Sequence, residues 1–80
     1  MEHRNPAVPV ARVFYRDHDS PEHGWFVQHY VHDELRTIRL ELRDNARRDD
    51  VITEAAGFVG CFPEQVQVEG APWPALQLPM

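Results

Sequence analysis

The sequence contains no lysine; all eight of its basic residues are arginine. That excludes Schiff-base and pyridoxal chemistry and the lysine of a phosphate-binding loop. It leaves forked, bidentate pairing with carboxylates as the chain's strongest cationic interaction. Cysteine occurs once, at Cys61, so no disulfide can close within the chain. The residue reads as a small apolar group near a helix end, and nothing beside it in sequence would activate a thiol nucleophile. Serine also occurs once. His18, Asp19 and Ser20 are the residue types of a hydrolytic triad, but triad members come from separate elements, and Ser20-Pro21 is turn chemistry. No run approaches 18 apolar residues, and the first residues lack the apolar core of a signal peptide. The expectation is a cytoplasmic protein with no membrane partner. Positive charge is itself in deficit, with thirteen acids against eight bases and a formal charge of −5. That balance disfavours phosphate backbones and anionic surfaces.

What is present suffices for one small fold. Eighty residues make a single domain near the lower limit of independent folding. With 42% hydrophobic residues and eight aromatic rings, a compact core is expected rather than disorder. Stability should be modest, and oligomerisation would supplement it.

The hydrophobic period changes once, and that change sets the fold class. Over residues 35–43, Ile38, Leu40 and Leu42 alternate with Thr37, Arg39, Glu41 and Arg43, the period of a strand with one wet face. Beyond it, Val51, Ile52, Ala55, Val59 and Phe62 recur at helical spacing. Asp49 and Asp50 suit the positive end of a helix dipole, Gly60 suits a left-handed cap, and Pro63 bars continuation. Two earlier strands are expected at 8–16 and 25–31, the second apolar on both faces and so central. A short fourth strand follows at 65–69. Gly57 inside the helix is either a close-approach point or a weak spot. The expectation is an α+β fold, a small antiparallel sheet of three to four strands with one helix on one face, in the order β-β-β-α-β. Residues 1–7 form a loose arm, 8–69 the domain, and 70–80 a proline-rich apolar tail.

Three constellations are candidates for function. His18, His23, His29 and His32 lie among acids, and His18 with His23 is the best-placed pair for a divalent metal. His29 and His32, three apart on a strand, point to opposite faces. Arg36, Arg39, Arg43, Arg47 and Arg48 form a basic cluster interleaved with acids. Beside Tyr30 or Trp25 it could offer a nucleic-acid surface, but the interleaved acids make cross-strand and loop salt bridging the preferred account. In the tail, Trp73, Leu76 and Leu78 form an apolar strip that needs cover, either in cis or on a partner. One helix covers one face of the sheet, so the other needs the tail or a second subunit. The reading is a non-enzymatic interaction module of regulator or inhibitor type, expected as a homodimer, contacting its partner through Trp73, Leu76, Leu78, Arg39 and Arg43. No cofactor or catalytic residue is expected. Metal binding and nucleic-acid binding are the alternatives.

Overall fold

A computed structural model describes residues 9–17, 19, 21–68 and 73. It is a four-stranded mixed sheet with one helix. Strand β1 spans Ala11–Arg16, β2 Gly24–Val31, β3 Glu34–Arg39 and β4 Val66–Val68; helix α1 spans Arg48–Val59. The order across the sheet is β3-β2-β1-β4. The first three strands are antiparallel neighbours, while β4 runs parallel to β1. The parallel pairing follows from the connection: β3 and β1 share a direction, and a strand–helix–strand crossover brings the chain back in that direction. Both inner strands are covered on two faces, as their mixed apolar pattern requires.

The β2–β3 turn is two residues long. His32 and Asp33 both have positive φ, 52° and 66°, the conformation of a type I′ turn, whose twist matches that of the flanking strands. The turn fixes the register, pairing Val31 with Glu34 and Val27 with Ile38.

Strand β3 ends at Arg39 rather than at residue 43. Its last bond to β2 is Leu40 N–H donating to the Trp25 carbonyl, at 2.8 Å. Beyond that, β2 has no residue left to pair, because its ladder begins at Gly24. The chain then turns inward, with Leu42 N–H donating to the Leu40 carbonyl at 3.0 Å. Leu40, Leu42 and Ala46 pack on the core.

Register divides the sheet into two faces. Ala11, Val13, Val27, Ile38, Val66 and Val68 share the face beneath α1. Val51, Ala55 and Ala56 of the helix are buried against it, with Ile52 and Val59 half-buried. Asp49 and Asp50 occupy the first turn, where the helix dipole favours acid. Gly60 caps the other end with φ 82°, and its N–H donates to the Ala56 carbonyl at 2.7 Å. Phe62 does not continue the helical stripe. It follows the cap in an extended conformation and is 70% exposed. A 3-10 turn over Pro63–Gln65 then leads into β4, and the Gln65 side chain accepts the Phe62 N–H at 3.0 Å. No helix of the described residues is long and apolar enough to cross a membrane.

Candidate functional site

The helix-free face carries the most distinctive chemistry. Alternation places Arg12, Phe14 and Arg16 of β1 on it, with Phe26, Gln28 and Tyr30 of β2, and Leu35, Thr37 and Arg39 of β3. Gly24 and, from β4, Gln67 complete it. These strand positions hold three arginines and no carboxylate, on a chain whose formal charge is −5.

Two of the aromatic residues here are covered within the chain. Phe14 and Phe26 are cross-strand partners, their rings stacked at 5.7 Å and only 3% and 4% exposed. The Arg16 guanidinium lies over both, 4.9 Å from the Phe26 centroid and 5.4 Å from that of Phe14. A cation over a ring face is held by the ring's quadrupole. Trp73 sits on the same face. Its ring stacks on Tyr30 at 5.6 Å, and the Arg12 guanidinium lies 5.0 Å from its centroid.

Gln28 anchors that arrangement. It is the buried polar side chain of the sheet, and burial without partners would cost it heavily. Its Oε1 accepts the Trp73 backbone N–H at 2.8 Å, and its Nε2 donates to Thr37 Oγ1 at 2.8 Å. Trp73 is thereby tied through β2 to the edge strand β3. Arg12 also donates to Gln67 Oε1 at 3.2 Å.

The five clustered arginines are dispersed. Arg36 pairs with Glu34 at 2.7 Å on the helix side of β3, both side chains largely exposed, a pairing worth at most about 1 kcal/mol. Arg39 alone of the five faces the helix-free side, three residues and hence one face away from Arg36. Arg43 and Arg47 border a cleft of about 560 Å³ between the 40–47 loop and α1, shared with Glu41, Asp50 and Glu54. Arg48 opens the helix. Trp25 lies on the other face from Tyr30, packed edge-on against Tyr15 at 5.1 Å. Instead, register places Arg12 and Arg16 on the same face as Arg39. The signal for this was the alternation Arg12, Phe14, Arg16, which strand pairing alone turns into a surface.

The histidines are dispersed as well. His23 precedes β2, His29 lies near its far end beside Phe58 with ring centroids 6.3 Å apart, and His32 sits in the hairpin turn. Six residues of strand separate His23 from His29 by about 20 Å. Among the described residues no three metal-ligating side chains converge. His18, Leu76 and Leu78 lie outside the described residues. Cys61 is half-buried against the core, and burial pushes its thiol up from the usual range, away from thiolate chemistry.

Compared with known protein families, curated proteins and solved structures, the chain matches none.

Proposed function

We propose that this protein is a non-enzymatic interaction module of regulator or inhibitor type that binds another protein through its helix-free sheet face. The observation that carries this reading is the grouping of Arg12, Arg16 and Arg39 on one face without a carboxylate among its strand positions, in an acidic chain. Grouped like charge beside aromatic rings is the composition of a recognition surface, because arginine and aromatic side chains dominate binding energy at interfaces. The free Cys61, the chain's single cysteine, is consistent with action in the reducing cytoplasm.

Self-association belongs to the proposal, on different grounds from the count of sheet faces. Phe14 and Phe26 are covered within the chain, so they give no reason for a second subunit. Phe58 and Phe62, 52% and 70% exposed at the end of α1, are the apolar groups that a second copy would cover. Native mass spectrometry of the chain and of a Phe58→Ser, Phe62→Ser variant reads this directly. A dimer abolished by the substitutions is expected.

The test of the face is capture from extracts of the native host by the chain and by its Arg16→Glu, Arg39→Glu variant, with circular dichroism confirming that both fold. Partners held by the first and released by the second are expected. Identical capture by both would remove the helix-free face from the account.

A further inference from the structure

The edge of the sheet deepens this reading, on which the inference rests. In a two-residue hairpin the residues flanking the turn exchange both backbone hydrogen bonds, and bonded and non-bonded pairs then alternate. Val31 and Glu34 flank the turn, so Glu34, Arg36 and Ile38 direct their backbone groups at β2. The bond from Leu40 to Trp25 continues that series. The N–H and C=O groups of Leu35, Thr37 and Arg39 therefore point outward, along the outer edge of β3. No described residue bonds them, and Thr37 and Arg39 are exposed. Such an edge is a template for an added strand. The same three residues send their side chains to the helix-free face, so the edge and the arginine surface adjoin.

Charge identifies the occupant. Gly24 and Phe26 are neighbours on that face of β2, and two guanidinium groups flank them. Arg16 lies over the Phe26 ring, and Arg39 crosses Gly24 so closely that a Cβ there would sit 3.1 Å from its Nε. Glycine at this position leaves the space that Arg39 fills. A cleft of about 320 Å³ opens beside them, lined by Arg39, Thr37, Phe26, His23 and the rim residues Pro21 and Glu22. No ion pair to Arg16 or Arg39 forms among the described residues. Two guanidinium groups so placed are matched by carboxylates, which they bind in forked pairs.

We propose that β3 receives an extended acidic segment of a partner protein as a fifth strand. Acids at alternate positions of that segment fall on one face, by the period of a strand, beside Arg39, with the Arg16 guanidinium adding positive charge from over Phe26 further across the same face. The backbone ladder supplies attachment, and the arginines select for acid. The burial of the rings favours such a peptide over a nucleic acid. The Phe14 and Phe26 rings are buried and offer no platform for bases.

The experiment is titration of the isotopically labelled full chain, in low salt, followed by amide resonances. The probes are a short peptide alternating Glu and Thr, its counterpart with Lys for Glu, and an oligothymidylate. The Glu peptide is expected to shift the amides of Leu35, Thr37 and Arg39 and to protect them from exchange; the Lys peptide is not. Arg16→Glu with Arg39→Glu should weaken binding about tenfold or more. Thr37→Pro, which removes one outward donor, should abolish it, while Thr37→Ser, which keeps both that donor and the hydroxyl that accepts from Gln28, should retain it. Shifts on the helix-free face without protection of β3 would refute strand addition and leave the face as the binding surface. Absent shifts, or shifts confined to α1, would overturn both. Preference for the oligothymidylate would give the face to nucleic acid instead.

Discussion

At the scale of single residues, Gly57 and Tyr15 show how local surroundings decide a role. A Cβ added at Gly57 meets nothing within 4 Å, and the residue is exposed. It is therefore a weak spot in α1 and not a point of close approach. Gly57→Ala should stabilise the domain by about 1 kcal/mol, seen as a rise of roughly 4–8 °C in Tm by calorimetry. Tyr15 is pushed above its usual value of 10.0, first by desolvation, then by the Asp44 carboxylate, which accepts a hydrogen bond from its hydroxyl, and by Asp17. The folded state thus favours the neutral phenol more than the unfolded state does. Its contribution is complete below pH 10 and is lost as pH rises through the folded value. Cys61, raised by burial from 9.0, has the same sign. Urea midpoints should fall above about pH 9 to 10, and Tyr15→Phe should flatten the upper part of that decline. The Gly60 cap and the acids Asp49 and Asp50 could be read from sequence because each answers to backbone geometry at its own position. Arg16 could not, because its role depends on a ring two strand positions and one register away.

At the scale of elements, period and punctuation carried most of the fold. The helix, its end and the return strand all appear where period and Gly60-Pro63 place them. What alternation could not set was where pairing stops. Leu40 and Leu42 face the core in the sense that their period demands, yet the chain there is irregular because β2 has no residues left to bond them. The direction of β4 was equally hidden in its own three residues, since the crossover fixes it. The hairpin carries a testable strain. His32 and Asp33 hold positive φ without glycine, where Asn-Gly is preferred. Asp33→Gly, alone or with His32→Asn, should stabilise the hairpin by about 1 kcal/mol. Slower exchange of the β3 amides that bond to β2 would report it, and unchanged exchange would show that the turn is unstrained.

At the scale of the whole molecule, the sheet has two unlike sides. One is a conventional aliphatic core under α1, centred on Val13, Val27 and Val51. Truncating Val27 to alanine should cost about 2–3 kcal/mol by chemical denaturation. The other is a thin layer of rings closed by guanidinium groups, with Trp73 tied to Gln28. The candidate site was partly legible. Trp73 and Arg39 were recognisable from composition, and both lie on this face, whereas Arg43 belongs to a separate cleft. Arg12 and Arg16 were missed because a sequence shows which residues alternate, not which strands stand side by side. The central claim is that this second side is where another protein binds. Hydrogen exchange of the chain, alone and with a partner captured from the native host, tests it most directly. Added protection along β3, with side-chain perturbation of Arg12, Arg16 and Trp73 and none in α1, is the predicted result. Protection confined to α1 and the residues around Phe62 would contradict it.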